Sequence, residues 1–80
     1  MHIEYDGEAD ALYVYAREIP DGAVSRQLRL QAGVYVDVDK ENRILGVEFL
    51  SLKLFSRYLI EHGGLELPER YAGPESLIPA

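Results

Sequence analysis

The chain has 80 residues, 48% of them hydrophobic, with 14 acidic side chains against 8 basic ones and no cysteine. At that length one compact domain is expected, burying only ~60% of the unfolded chain's surface, with no disulfide or cysteine-based metal quartet to staple it. The formal charge of −6 opposes approach to a phosphate backbone, which sets nucleic acid aside as a partner and favours a basic protein.

Alternating apolar and polar residues mark half-buried strands, and such runs recur along the chain between turn residues. Met1 to Tyr5 reads as a first strand with Ile3 and Tyr5 on one face. Asp6-Gly7 ends it, glycine being expected to take the positive φ of a tight turn. Asp6, Glu8 and Asp10 then follow at alternate positions. A calcium loop counted from Asp6 needs glycine at its sixth position and glutamate at its twelfth, where this chain has Ala11 and Arg17. The acids are therefore expected to accept backbone N–H bonds in a solvated turn.

From Ala11 to Ala16, Leu12, Val14 and Ala16 fall on one side of a second strand, and Tyr13 and Tyr15 on the other. Ile19-Pro20-Asp21-Gly22 reads as a turn. Ala23 to Leu30 then forms a third strand through Val24, Leu28 and Leu30, interrupted by Arg26, which fits a bulge or an edge arginine laying its stem over the sheet. After Ala32-Gly33, Val34, Val36 and Val38 should face the core, with Tyr35, Asp37 and Asp39 opposite and the acids in water. Asp39-Lys40-Glu41-Asn42 reads as a hairpin loop with Asn42 left-handed. Arg43 to Leu50 returns as the fifth strand, in which Gly46 signals a bulge or a close backbone approach.

At Ser51 the period changes from two to that of a helix. Leu52, Leu54, Phe55, Tyr58 and Leu59 gather in one arc, with Lys53, Arg57 and Glu61 opposite, which predicts an amphipathic helix over 51–62. Ser51 suits the N-cap, and Gly63-Gly64 the left-handed stop. Residues 65–80 contain three prolines and read as an irregular tail beyond a domain spanning 1–64.

The stretches YDGEADALYVYA and GVYVDVDKENRILGVEFL resemble a small prokaryotic family known as domain of unknown function 2283. Tyr5, Asp6, Glu8, Ala9, Asp10, Ala11, Leu12 and Tyr13 match its opening motif. Gly33, Val34, Val36, Asp37, Asp39, Gly46, Glu48 and Leu50 match its hairpin motif. The resemblance covers roughly residues 3 to 62. It implies a β-meander followed by one helix, brings no catalytic residue or cofactor, and, through genes thought to neighbour small toxin-like genes, points to an antitoxin-like role.

Asp37 and Asp39, ~6–7 Å apart if on one strand face, could pair with Glu48 across the hairpin as a carboxylate site. That face has no histidine, nucleophile or second basic group, so no catalytic residue, metal or cofactor is expected. His2 and His62 are too few for zinc, and His62 is explained by the helix C-terminal dipole. Tyr13, Tyr15 and Tyr35 should share the face opposite the valine row, where a second copy or the tail would cover them.

The expected fold is α+β: a five-stranded, mainly antiparallel meander with one amphipathic helix on one face, expected as a homodimer; a cytoplasmic location is expected because no segment approaches the ~20 apolar residues of a membrane helix and no cleavable leader pattern is present. The favoured function is interaction with a basic protein partner through Tyr13, Tyr15, Tyr35, Asp37, Asp39, Glu41 and Glu48. The alternatives are a carboxylate-based metal-binding protein or enzyme, and a purely structural self-associating domain.

Overall fold

The structure, a computed structural model, describes residues 2–80. Five strands, β1 (His2–Asp6), β2 (Ala11–Tyr15), β3 (Arg26–Gln31), β4 (Val34–Val38) and β5 (Ile44–Phe49), precede one helix, α1 (Leu52–His62). All strand pairs are antiparallel, giving the expected α+β class. The expected start of the first strand at Met1 lies outside the described residues.

The strand order is β1-β2-β5-β4-β3, so the sheet departs from a simple meander. β3, β4 and β5 follow one another, but β5 then lies beside β2, with Val14 opposite Val47 and Tyr15 opposite Gly46. The β2–β3 connection therefore carries the chain from the middle of the sheet to its far edge, and Ala16 N–H donates to Leu45 O at 2.9 Å where that connection begins.

The period of two places the core where it was expected. Val34, Val36 and Val38 are fully buried with Val14, Val47 and Phe49, and Leu12 joins them. α1 covers this face. The ring of Phe49 meets Phe55 at 5.0 Å and Tyr58 at 5.5 Å, both edge-on, which is the preferred geometry of aromatic pairs. Ser51 caps the helix by accepting from Leu54 N–H at 3.0 Å, and Gly63 ends it at φ 76°. Leu52, expected in the apolar arc, is instead 46% exposed at the first position of α1.

The tail is not simply irregular. It folds back over the same core face and ends in a 3₁₀ turn, Pro74–Leu77, whose Leu77 is fully buried. Leu65, Leu67 and Tyr71 pack around it. Backbone bonds anchor the segment: Ile44 N–H to Glu69 O, Tyr71 N–H to Asn42 O, and Glu66 N–H to Leu77 O. The tail thus lies on the valine side and leaves the tyrosine side open.

The turns also depart from expectation in one respect. Gly7 does not carry the positive φ of the β1–β2 turn; Asp10 does, at 55°. Asp10 is held there by its own side chain, which accepts from the Tyr5 hydroxyl at 2.6 Å and from Leu52 N–H at 3.4 Å. Asp6 accepts from Glu8 N–H and Ala9 N–H, as expected of an acid in such a turn. Asn42 takes the left-handed conformation at φ 64°. The third strand is shorter than the expected 23–30 and leaves Val24 exposed. Arg26 is the edge arginine of that strand, donating to Asn42 Oδ1 at 2.9 Å, while the bulge falls further on, between Arg29 and Gln31.

Candidate protein-interaction surface

The face opposite α1 is built from the alternate residues of all five strands. One row across the sheet reads Glu4, Tyr13, Glu48, Tyr35 and Arg29, and the next reads His2, Tyr15, Gly46, Asp37 and Gln27. The structure therefore brings Tyr13, Tyr15, Tyr35, Asp37 and Glu48 together on one surface. Neither α1 nor the tail reaches it.

Gly46 is what lets the rows close up. A Cβ at that position would overlap the Tyr13 ring, so the ring lies directly over the glycine. From there the Tyr13 hydroxyl reaches diagonally across β5 and donates to Asp37 Oδ2 at 2.8 Å. Gln27 Nε2 donates to Asp37 Oδ1 at 3.0 Å from the other side. Both oxygens of Asp37 are thus used within the fold, and the residue is only 8% exposed. Burial and the bond to Asp37 push the Tyr13 phenol far above its ordinary pKa.

Asp39 is equally enclosed, at 8% exposure, but it lies in the hairpin loop and faces its own turn. Its Oδ1 accepts from Glu41 N–H and Arg43 N–H, both at 2.9 Å, and its Oδ2 accepts from Arg43 Nε at 2.8 Å. Burial opposes the charge, yet these donors outweigh it and hold the carboxyl below its ordinary pKa. The expectation that Asp37 and Asp39 face water is therefore corrected: Tyr13 and Gln27 close over one, and two backbone N–H groups and the Arg43 guanidinium enclose the other. Nor do they form a shared carboxylate site with Glu48, because their oxygens point to different partners. Among the described residues no group of three or more His, Cys, Asp or Glu side chains is placed to hold a metal ion.

What stays available on this surface is the phenolic and acidic rim. The Tyr15 hydroxyl donates to Glu4 Oε1 at 2.6 Å, a bond that raises its pKa, and its ring lies 4.7 Å from both Tyr13 and His2. Tyr35 and Glu48 are partly exposed, and Glu41 is exposed at the hairpin tip, where it pairs with Arg43 at 3.5 Å. An open depression of about 590 Å³ runs between β1 and β5, lined by Glu4, Asp6, Ala11, Tyr13 and Glu48.

Sequence reasoning missed His2, Glu4, Gln27 and Arg29, which join the surface from the edge strands. Parity within each strand was a readable signal for them, but their place beside the tyrosines depends on strand order. His62, expected only to meet the helix dipole, also stacks on Tyr58 at 4.5 Å and contacts Gln31 Oε1 at 3.0 Å, tying the helix end to β3.

No helix among the described residues is long and apolar enough to cross a membrane. Comparison with curated proteins and with solved structures finds no match. The family model described as a protein of unknown function, DUF2283, matches residues 2–53, which takes in all five strands and the first two residues of α1. With more than half of its length matched, including the tyrosines of β2 and the Gly46 they close over, the chain belongs to the DUF2283 family.

Proposed function

We propose that the protein is an antitoxin-like interaction module of the cytoplasm, engaging a basic protein partner through the phenol- and carboxylate-bearing face of its sheet. The single observation that carries this reading is the open second face: both covering elements lie on the valine side, while Tyr15, Tyr35 and Glu48 stand partly exposed on the other. Rigid aromatic rings beside carboxylates suit a partner that brings arginine or lysine, since such cations gain from both ring faces and opposite charge. The net charge of −6 favours the same encounter at long range. Asp37 shapes this surface from beneath and Asp39 fixes the hairpin that carries Glu41, whereas Tyr15, Tyr35, Glu41 and Glu48 would make the contacts.

Affinity capture from the native host, followed by mass spectrometry, tests the reading with the wild-type chain and a Tyr35→Ala/Glu48→Arg double variant as baits. A basic protein held by the first and lost by the second is the expected result. The same proteins on both baits, or no basic protein on either, would end it.

A homodimer joined through this face is the second reading, favoured by the row of phenols, and sedimentation of the same two chains separates it from a partner-bound monomer. The module acts without catalysis in either reading. A thermal-shift screen against divalent cations tests the carboxylate alternative, which requires a rise in Tm that Glu48→Ala abolishes.

A further inference from the structure

We propose that the outer edge of β1 accepts an extended segment of a partner as a sixth strand, and that this segment alternates basic with apolar residues. The inference rests on the basic-partner reading above and adds where and how such a partner would dock.

β1 pairs with β2 alone, so one side of its backbone has no ladder partner. No backbone bond outside the ladder involves residues 2–6 among the described residues. All five of its residues are exposed. An open edge of this kind templates the addition of another strand unless something blunts it, and the usual devices are proline, lysine, a bulge or a cover. His2–Asp6 has none of these, and its register with β2 is unbroken; the charges it does carry, Glu4 and Asp6, turn away an acidic strand and admit a basic one. The opposite edge is protected: β3 carries Arg26 and Arg29, and its register breaks between Arg29 and Gln31.

The two faces of β1 specify the occupant. On the tyrosine side stand Glu4 and Asp6. On the core side Ile3 and Tyr5 are 43% and 50% exposed, and the start of α1 lies near Tyr5, since the Leu52 N–H and the Tyr5 hydroxyl share Asp10 Oδ1. Residues directly opposite in a ladder share a face, so a strand added here places lysine or arginine against Glu4 and Asp6 and apolar side chains against Ile3 and Tyr5.

A second copy of β1 fits this requirement poorly. An antiparallel pair centred on Glu4 sets two glutamates face to face, while one centred on Ile3 pairs only residues at the start of the strand. The chain's own Leu28-Arg29-Leu30 has the right alternation, but the break beside it interrupts the ladder that an edge-to-edge contact needs. A strand from a basic partner meets neither obstacle.

Fluorescein-labelled Lys-Val-Arg-Val-Lys-Val-Arg is the probe, with Glu-Val-Glu-Val-Glu-Val-Glu as its acidic counterpart. Anisotropy should show saturable binding of the basic peptide only, weakening as salt is raised. The Glu4→Lys/Asp6→Lys double variant should bind it about tenfold more weakly, two cross-strand charge pairs having been inverted. Amide hydrogen exchange should show new protection within residues 3–5 when the peptide is added. Unchanged affinity in the double variant, or protection elsewhere on the sheet, overturns the proposal. So does protection of these amides in the chain alone, accompanied by concentration-dependent dimers or polymers, which would assign the edge to a second copy. If the natural basic partner is retained by the Glu4→Lys/Asp6→Lys chain but lost by Tyr35→Ala/Glu48→Arg, the edge inference fails while the interaction reading stands.

Discussion

Asp37 accepts from one donor on β2 and one on β3, so a single carboxylate on β4 ties its neighbour β3 to β2, which lies beyond β5. Tyr13→Phe removes one of those donors and should lower stability by about 1–2 kcal/mol, read as a reduced urea midpoint with unchanged slope. The pH dependence follows from the same bond. The Tyr13 phenol has a raised pKa in the folded chain, so its stabilising contribution is complete below the ordinary phenol value of 10.0 and is lost as pH rises beyond it. Ultraviolet titration should show the Tyr13 phenol ionising only with unfolding, and Tyr13→Phe should soften that alkaline transition. Asp39 has the opposite sign. Its carboxyl pKa lies below the ordinary 3.8, so its contribution is present above that value and is lost as pH falls through the folded one. Asp39→Asn should reduce Tm at neutral pH and flatten its fall in acid. Burial of these two acids was not readable in the sequence: a period of two gives the face of a residue, but not the ring or loop that closes over it.

At the scale of elements, Gly46 was legible as a close approach, because a glycine amid Ile44, Leu45, Val47 and Phe49 leaves a gap in an otherwise β-forming run. Which ring would fill the gap was not. Tyr13 comes from a strand more than thirty positions earlier, and only the pairing of β2 with β5 brings it there. Gly46→Ala should force the Tyr13 ring off Asp37, costing about 1–3 kcal/mol by overpacking and more than Tyr13→Phe costs in the same melt. The valine row, the Asn42 hairpin and the Ser51 cap were all readable because each depends on neighbours within a few residues. The order of the strands depends on contacts between distant ones, and local alternation is silent about those.

For the molecule as a whole, the segment after Gly64 completes the core. Its anchors Leu65, Leu67, Tyr71 and Leu77 follow no strand or helix period and are interrupted by prolines, so the pattern that exposed the strands had nothing to register there. Leu77→Ala should cost about 2–5 kcal/mol, since the site is fully buried and pinned between the sheet and Glu66, and the loss should appear as a lower Tm with dye binding to uncovered apolar surface. β1 stands at the other extreme. It contributes no buried side chain, so only its ladder with β2 and the exposed contacts of His2, Glu4 and Tyr5 resist its release. It should therefore fray first, with the fastest-exchanging strand amides in the protein. Each such opening takes the sixth-strand acceptor away with it, so a visiting segment can dock only while the native first strand is seated, and capture should slow as that strand lets go more often.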